Sequence, residues 1–569
     1  MNERMNEVRG DRVTLGRVFR RGRRRFLARM KHARDEEDDG DDGVATFGYR
    51  RRTTHPRSEL FAAHIQSLNA QFIDHATRRV REDPCAFLIS AARDYVRYAK
   101  EIREEFQDVL AEEAREEAVA RTTSDARSGD AFVWGAGDSG QLGLGGDVDE
   151  RRRPACVKTG PMESVAVTQI ASGGTHTLAL ASGGACFSWG NNDEGALGRK
   201  VDKNANPDAE YEPGKIELPL DVKVIMLSTG DSHGAALTES GAVWAWGSFR
   251  TTNGGWAFNP NTLDSKKTMF PFQIYTPQSS KDRVKAIASG VDHVLALTKE
   301  GGVYSWGCSE KGRLGRFDEK EAEDNEQADD ALKKRLLTPG RVVFPKSGGG
   351  ALGSAFGGEP EVTAIVAGDF HSFAICANAD GSQSDVYGWG LSNCNQLGVF
   401  DPNPDLRGDQ QVTYFPKRIE SLSDKRIVAG DAGTHHSLFM TGDGKVIAVG
   451  RWTDGRCGVR CANAASDGYL EEPKFVEDLP VRATKIVCGG VNGGVVGEDG
   501  SAYVWGSQYM GQLGLGPREE DAHVPEKMQY TKPMAGKVFT DLSFGGQHAA
   551  AVLAESESNS THASKRART

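Results

Sequence analysis

The sequence has few of the features that mark a secreted, metal-binding or membrane protein. Its nine cysteines form neither CxxC pairs nor a regular spacing. A zinc site or a disulfide framework is therefore not indicated, and a reducing compartment fits. The chain has no apolar run of about 18 residues, and its N-terminus has no apolar segment typical of a secretory signal. We therefore expect no membrane partner.

Motifs of bond-making chemistry are also missing. The sequence has no phosphate-binding GxxxxGK[ST] loop, no HExxH motif and no local signature of a serine, histidine and aspartate triad. The formal net charge of -10 argues against a chain that coats nucleic acid along its whole length. We expect a protein that is not an enzyme in the bond-making sense and that needs no cofactor or metal.

A repeated pair of strands dominates what is present. An apolar strand that ends on glycine recurs seven times, at Phe132/Trp134, Phe187/Trp189, Trp244/Trp246, Tyr304/Trp306, Tyr387/Trp389, Ile447/Val449 and Tyr503/Trp505. A Gly-x-x-His turn that enters another apolar strand also recurs, at His176, His233, His293, His371, His436 and His548, and as VNGG without the histidine at Val491. Most repeats are roughly 55 to 60 residues apart, a period typical of propellers.

The two ends of the repeat region each hold half a unit. DAFVWG (Asp130 to Gly135) is a second strand without a first, and LSFGGQHAAAVL (Leu542 to Leu553) is a first strand without a second. Pairing of these halves would close the ring and remove its open sheet edges. We predict an all-β, seven-bladed β-propeller over residues 129–554, after a disordered tail (1–57) and a helical extension (58–128), with a disordered tail at 555–569.

The N-terminal tail has two interpretations. A basic stretch, Arg17 to Arg34, is followed at once by the acidic stretch Asp35 to Asp42. The first interpretation is a disordered, solvated tail. The second is a nuclear-import signal that binds importin, with a further contact to DNA phosphate. The acidic stretch argues against an organelle transit peptide. A further basic segment at the C-terminus is an alternative import signal.

The segment from Ser58 to Arg121 has apolar residues at near-helical spacing, interrupted at Asp83-Pro84. Residues 67–102 resemble a short helical segment of the nuclear-basket nucleoporin that works in importin and Ran traffic. The alternative is a helical pair that packs on the propeller or dimerises.

One loop breaks the repeat. Most Trp-Gly strands are followed by a loop of the form G-x-L-G, but Ser248 to Phe258 (SFRTTNGGWAF) loses this pattern altogether. An exception in a repeat protein is a candidate functional site, the alternative being a tolerated insertion. We expect a small projecting hairpin with Asn253 to Gly255 at its tip and an exposed Trp256. The insertions Lys311 to Pro339 and Ser347 to Pro360 are predicted to be a mobile loop and a flexible linker.

The Gly-x-x-His turns occupy equivalent positions in successive blades, so the ring should place them on one face. Acids lie close to several of them, at Asp231, Asp292, Asp369 and Asp431. This predicts a ring of histidine and aspartate at one mouth of the propeller. The alternative, favoured for most of the set because repetition indicates structure, is that the histidines hydrogen-bond within their own blades. A shared metal site is disfavoured, since equivalent turns are one blade apart.

These blades resemble a known family. GGTHTLALASGGACFSWGNNDEGALGR (Gly173 to Arg199), GDSHGAALTESGAVWAWGSFRTTNGG (Gly230 to Gly255) and YGWGLSNCNQLG (Tyr387 to Gly398) are similar to the family of the regulator of chromosome condensation. Its members are chromatin-bound guanine-nucleotide exchange factors for the small GTPase Ran, and the likeness covers Asp130 to Leu553. The resemblance implies that the loop Ser248 to Gly255 presses as a wedge on the GTPase and that exchange proceeds by differential binding.

The resemblance also implies roles for individual residues. Asp292 matches the acid most important for turnover, and Asp231 and Arg250 complete the set of residues implied to be catalytic. The residues implied to bind the partner are His176, Ser248, Phe249, Thr251, Thr252, Asn253, Gly254, Gly255, Arg316, His435, His436 and His548. Lys334 and Arg335 match a loop that binds nucleosomes. The implied partners are Ran, histones, DNA phosphate and importin, and the implied location is nuclear chromatin, with roles in nucleocytoplasmic transport and mitosis.

Two alternatives use the same fold. A propeller scaffold for another GTPase or for a ubiquitin pathway is permitted by the general repeats and disfavoured by the GSFR sequence at Gly247 to Arg250. A plant-type ultraviolet photoreceptor would need repeated GWRHT motifs, which are absent.

Overall fold

The computed structural model describes residues 127–323, 325, 327–345, 360–377, 384–399, 411–423, 425–460 and 468–556. Outside these residues lie the predicted N-terminal tail, all but the first two residues of the predicted C-terminal tail (555–569), all but the last two residues of the predicted helical extension (58–128), and most of the predicted linker Ser347 to Pro360. Glu555, predicted to begin the C-terminal tail, is the last residue of the final strand. Within the described residues the chain forms seven four-stranded antiparallel sheets and one two-stranded hairpin.

The strands are numbered along the chain. The first two, β1 (Asp130–Ala136) and β2 (Glu150–Cys156), belong to blade 7. Blade 1 contains β3 (Val167–Ser172), β4 (His176–Ala181), β5 (Cys186–Gly190) and β6 (Gly214–Lys215). Blade 2 contains β7 (Val224–Thr229), β8 (His233–Thr238), β9 (Val243–Gly247) and, after the hairpin strands β10 (Arg250–Thr251) and β11 (Gly254–Gly255), β12 (Thr268–Tyr275). Blade 3 contains β13 (Val284–Ser289), β14 (His293–Thr298), β15 (Val303–Gly307) and β16 (Gly340–Arg341).

The remaining blades follow the same order. Blade 4 contains β17 (Ala364–Ala367), β18 (His371–Ala377), β19 (Ser384–Leu391) and β20 (Val412–Arg418). Blade 5 contains β21 (Ile427–Ala432), β22 (His436–Thr441), β23 (Val446–Arg451) and β24 (Tyr469–Phe475). Blade 6 contains β25 (Ala483–Cys488), β26 (Asn492–Gly497), β27 (Ala502–Gly506) and β28 (Ala522–Lys527). Blade 7 is completed by β29 (Lys537–Phe544) and β30 (His548–Glu555).

The ring closes by pairing its two ends. Strand β1 pairs antiparallel with β30, which places Phe132 opposite Ala551 and Trp134 opposite Ala549. Blade 7 therefore has the strand order β2-β1-β30-β29. The predicted seven-bladed propeller, closed by its N-terminal and C-terminal half-repeats, is confirmed.

The innermost strands have backbone groups that no strand of their own blade can pair, and side chains of the neighbouring blade pair some of them. Asp541 of β29 accepts a hydrogen bond from the Ile170 amide of β3 at 2.8 Å. The Gln169 side chain of β3 both accepts from and donates to the backbone of Leu227 in β7, at 2.8 and 2.9 Å. Because a buried unpaired amide is costly, these bridges help to hold the ring together around its axis.

The G-x-L-G loops, which blade 2 lacks, join a blade to the next one. The Trp189 indole of blade 1 donates to the carbonyl oxygen of Gln141, in the loop of blade 7, at 2.9 Å. Gly143 of that loop has a φ of +63°, and a Cβ there would lie 2.8 Å from the same indole, so only glycine fits. The same bond links Trp134 to Gln512, Trp246 to Ala196, Trp389 to Arg313 and Trp505 to Arg456.

Four of the repeated histidines, His293, His371, His436 and His548, hydrogen-bond to the next blade. Thr177 of blade 1 donates its hydroxyl to the carbonyl of Gln141 at 2.8 Å, so it accepts from the Nε2–H of His548, also at 2.8 Å. Ser372 and Ser437 take the place of Thr177 for His293 and His371, respectively. For these three histidines the interpretation that they hydrogen-bond within their own blades is wrong, because their partners are hydroxyls of the following blade. It is also wrong for His436, whose Nε2 lies 3.1 Å from the carbonyl oxygen of Asn492 in blade 6.

Replacing Thr177 by valine is expected to lower the free energy of unfolding by about 1–3 kcal/mol, because the buried His548 loses its acceptor and gains no water. Denaturation with urea would measure the loss. Thr177→Ser is the matched control, since blades 4 and 5 use serine at the equivalent position. A valine variant as stable as the serine variant would contradict the bridging role.

The insertion from Lys311 to Pro339 is not a mobile loop. It contains two helices, α1 (Glu319–Glu323) and α2 (Asp330–Leu337), whose Ala322 and Leu336 are buried with Leu314 and Phe317 in one cluster. Asp329 caps α2 by accepting from the Leu332 amide at 2.8 Å. The prediction was wrong because a few apolar residues within an acidic stretch are enough to fix both helices to blade 3.

Short 3₁₀ helices occur at Gly160–Glu163, Glu310–Gly312, Thr453–Gly455 and Lys532–Met534. In the part of the chain that the structure describes, no helix has the length and apolar character needed to cross a membrane.

Candidate functional site

The exceptional loop of blade 2 forms a short hairpin, as predicted. Strand β10 pairs with β11, placing Arg250 opposite Gly255 and Thr251 opposite Gly254. The hairpin follows the C-terminal end of β9, where Gly247 pairs with His233. It therefore lies on the face of the propeller that carries the Gly-x-x-His turns, which we call the turn face.

The base of the hairpin is fixed in the core. The Phe249 ring is fully buried, with its centroid 4.9 Å from that of His233 and 4.6 Å from that of Phe258. The Ser248 hydroxyl, also buried, donates to the carbonyl of Lys266 at 2.9 Å. Ser248 and Phe249 were predicted to bind a partner, but in this structure their side chains anchor the hairpin.

Trp256 is not the exposed aromatic that the sequence predicts. Its side chain packs against two apolar clusters, and its indole nitrogen is buried. The exposed residues of the hairpin are Thr252 and Asn253, whereas Thr251, Gly254 and Gly255 are half-buried. The surface available to a partner is therefore small and polar.

Two aspartates predicted to be functional hold the first strand of the hairpin. Asp292 accepts a hydrogen bond from the Arg250 amide at 2.7 Å, and its own exposure is only 5%. Burial raises the pKa of Asp292 to about 6, although the nearby Arg313 guanidinium opposes the rise. Asp231 forms an ion pair with the Arg250 guanidinium at 2.9 Å, and Ser232 donates to Asp231 at 3.1 Å.

The tip of the hairpin is held by a residue of blade 3. Glu310 accepts hydrogen bonds from both the amide and the hydroxyl of Thr252, each at 3.2 Å. The hairpin is thus attached on both sides of Thr251, at Arg250 by Asp292 and at Thr252, the residue after β10, by Glu310.

A cavity of about 320 Å³ lies beside the hairpin on the turn face. Its lining includes the acidic residues Asp193, Glu194 and Asp231, together with Arg250 and His176. Three carboxylates against one guanidinium give the cavity an acidic character. It is therefore suited to a basic side chain of a protein partner.

The predicted histidines are mostly not at the surface. His176, His436 and His548 are at most 1% exposed, and burial lowers the pKa of His176 to about 4 and the pKa values of the other two to about 3. These three imidazoles are therefore buried between blades and are not exposed at the mouth of the propeller, where the sequence predicts a ring of histidine and aspartate. His435 is half-buried. That these four histidines bind a partner remains a prediction. The three buried imidazoles have almost no exposed surface with which to contact a partner directly.

The remaining predicted residues lie on the insertion of blade 3. The Arg316 guanidinium donates to the carbonyls of Arg335, Leu336 and Thr338 at 2.6, 3.3 and 3.1 Å, and burial lowers its pKa to about 10. That Arg316 contacts a partner remains a prediction. Lys334 and Arg335 are exposed on α2, where Arg335 pairs with Glu321 at 2.6 Å.

Sequence reasoning missed Glu310 and Arg313. Arg313 is 1% exposed and lies close to both Asp292 and Glu310. A signal was available, because the same position of the G-x-L-G loop is glutamine in three other blades, at Gln141, Gln396 and Gln512. A charged residue at a buried repeat position indicates a local purpose.

The protein is a closed propeller of similar blades, and one blade carries a fixed hairpin beside an acidic cavity. This arrangement defines a platform for binding another protein. The chain belongs to the family of the RCC1-like domain, which matches residues 130–551.

Similar proteins cover most of this chain. The human regulator of chromosome condensation is 36% identical over 430 residues, which are 75% of this chain and 91% of that protein. The guanine nucleotide exchange factor SRM1 of Saccharomyces cerevisiae is 28% identical over 454 residues, covering 74% and 86% of the two chains. A crystal structure of Prp20p from the same yeast, described with its binding properties to Gsp1p and histones, superposes with a TM-score of 0.63 at 27% identity, covering 78% of this chain and 95% of that one.

Proposed function

We propose that this protein is a guanine-nucleotide exchange factor for the small GTPase Ran and that it acts on chromatin in the nucleus. The observation that carries the proposal is the hairpin of residues 250–255, which replaces a loop used elsewhere to join blades and is attached at Arg250 and Thr252. The relatives named as regulators of chromosome condensation and as an exchange factor support it, as does the yeast relative described with Gsp1p.

The mechanism needs no covalent chemistry. A hairpin that is already ordered loses little conformational entropy when it meets the GTPase. If the platform binds the nucleotide-free GTPase more tightly than the nucleotide-bound form, then by reciprocity it lowers the affinity of the GTPase for its nucleotide by the same factor. The acidic cavity beside the hairpin would receive a basic side chain of the GTPase, which fixes the orientation of the partner.

Chromatin binding is proposed to use α2. Lys334 and Arg335 are exposed and could meet an acidic histone surface. To do so, Arg335 exchanges its exposed ion pair with Glu321 for the new partner, which costs little because such surface pairs are weak. The DNA and importin contacts predicted for the basic tail concern residues 1–57, which lie outside the described residues.

The test is release of a fluorescent GDP analogue from purified Ran. Catalytic amounts of this protein should accelerate release, with many turnovers per molecule, because an exchange factor is regenerated after each cycle. A second small GTPase with the same analogue serves as the control and should release at its intrinsic rate. Acceleration on the second GTPase and not on Ran would favour the alternative, a scaffold for another GTPase.

A further inference from the structure

Arg313 lies in the G-x-L-G loop of blade 3 and has a fixed backbone. Its carbonyl oxygen accepts hydrogen bonds from the Trp389 indole at 2.9 Å and from the Ser372 hydroxyl at 3.1 Å, both in blade 4. Its side chain is 1% exposed. The guanidinium carbon lies 4.5 Å from the centroid of the Phe370 ring, which covers one side of the group.

The guanidinium lies between two carboxylates. Its Nη1 is 3.6 Å from Oδ2 of Asp292, and its Nη2 is 3.9 Å from Oε2 of Glu310. Its Nε donates to the backbone carbonyl of Glu310 at 2.8 Å, which fixes the direction of the side chain. One buried positive charge thus lies near two negative ones, at distances that give electrostatic attraction without a hydrogen bond to either carboxylate.

The same two carboxylates hold the hairpin. Asp292 accepts from the Arg250 amide at 2.7 Å, and Glu310 accepts from the Thr252 amide at 3.2 Å. These amides flank Thr251: Arg250 begins the first hairpin strand, and Thr252 follows its last residue. The contacts therefore form a continuous network from the core of blade 3 to the hairpin of blade 2. Arg313 is the residue that lies close to both carboxylates.

We propose that Arg313 is a positioning residue, which sets the hairpin of residues 250–255 in place for nucleotide exchange by holding Asp292 and Glu310 against its amides. The kinetic part of this inference rests on the proposed exchange function. A buried carboxylate needs a counter-charge to remain ionised and directed, and Arg313 supplies it to Asp292. Without that charge the hairpin would keep its fold but lose its fixed orientation.

The variant that tests this is Arg313→Gln. Three other blades already have glutamine at this position, and in blade 7 the Gln141 side chain accepts a hydrogen bond from the Ser139 amide within the same turn at 2.8 Å. Glutamine should therefore preserve the loop while removing the charge. Arg456→Gln is the matched control, because Arg456 occupies the equivalent position in blade 5, where it pairs with Asp454 of its own loop.

Two readouts are needed. The first is the exchange rate on Ran as a function of Ran concentration: we expect Arg313→Gln to lower kcat about 10-fold with KM within about 2-fold, since a misplaced hairpin weakens contacts made as the nucleotide leaves. The second is amide hydrogen exchange of the peptide that spans residues 248–258, which should become about 10-fold faster because the hairpin opens more often. Arg456→Gln should change neither.

The outcomes separate the two proposals. Unchanged kcat and unchanged protection of the hairpin amides in Arg313→Gln would overturn the positioning role. A loss of protection confined to the contact between blades 3 and 4, around Ser372 and Trp389, would overturn it as well. If wild-type protein does not act on Ran, the proposed function fails, while the hydrogen-exchange result still decides whether Arg313 fixes the hairpin. Should Arg313→Gln not fold, Glu310→Gln, a substitution at a side chain that is not fully buried, is expected to give a smaller loss of kcat and of protection; no change would contradict the proposal.

Discussion

Replacing Asp292 by alanine is expected to lower the kcat of nucleotide exchange on Ran by about 100-fold, which corresponds to about 2.7 kcal/mol of lost transition-state stabilisation. The substitution removes the acceptor of the Arg250 amide, and a hydrogen bond to a charged group contributes about 1.5–3 kcal/mol. It also leaves the buried Arg313 without one of its two counter-charges. Release of a fluorescent GDP analogue from Ran, followed over a range of Ran concentrations, measures the effect.

A general loss of stability must be separated from this effect. Asp385 provides the control, because it is 2% exposed and forms a buried ion pair with Arg418 at 2.8 Å in blade 4, away from the hairpin. Asp385→Ala should destabilise the fold and leave kcat unchanged at a temperature where the protein is folded. Equal losses of kcat in the two variants would show that Asp292 acts only through stability.

The same carboxyl predicts how wild-type exchange depends on pH. Burial raises the pKa of Asp292 to about 6, so kcat should fall as the pH drops through this value, because the protonated acid loses its ion pair with Arg313 and its charged hydrogen bond with the Arg250 amide. Stability should respond in the opposite sense: the contribution of Asp292 is fully present below its ordinary pKa of 3.8 and is lost as the pH rises through about 6. In Asp292→Asn the inflection in kcat should disappear.

The sequence was sufficient to predict the propeller because each blade repeats the same pattern. Six Trp-Gly strands and one Val-Gly strand identify the period, and the half-units at the two ends identify the closure. The loop Ser248 to Phe258 could be identified for the same reason, because it is the one copy that has lost the G-x-L-G pattern used elsewhere to contact the next blade. Phe249 and Phe258 occupy its core position, packed with Trp306 of the next blade.

The roles of single residues were harder to predict because their partners are distant in sequence. His548 meets Thr177, and His293 meets Ser372, so no local pattern shows that these histidines face the neighbouring blade. Arg313 and Glu310 act on a hairpin that lies one blade earlier. The helices α1 and α2 were missed because their stretch of sequence is mostly charged, and only the three-dimensional arrangement shows which of its few apolar residues meet the core.

Closure of the ring is expected to be the weakest point of the fold, and Trp134→Ala tests it. The Trp134 indole is fully buried and donates to the carbonyl of Gln512 at 2.8 Å, which ties the N-terminal strand β1 to blade 6. Replacing a buried tryptophan by alanine costs about 3–5 kcal/mol of unfolding free energy. Strand β1 is joined to its neighbour β30 only by non-covalent pairing, so the loss should appear first as opening of this pair.

Trp505→Ala separates closure from packing. Trp505 is equally buried and makes the equivalent bond to Arg456 at 3.0 Å, but its strand is connected covalently to both neighbours within blade 6, by the turn 498–501 and the loop 507–521. Native-state hydrogen exchange should therefore show amides of β1 and β30 exchanging about 100-fold faster in Trp134→Ala, as a loss of about 3 kcal/mol implies, and at most slightly faster in Trp505→Ala. If both variants open β1 and β30 equally, the closing blade is no weaker than the others, and the ring unfolds as one unit.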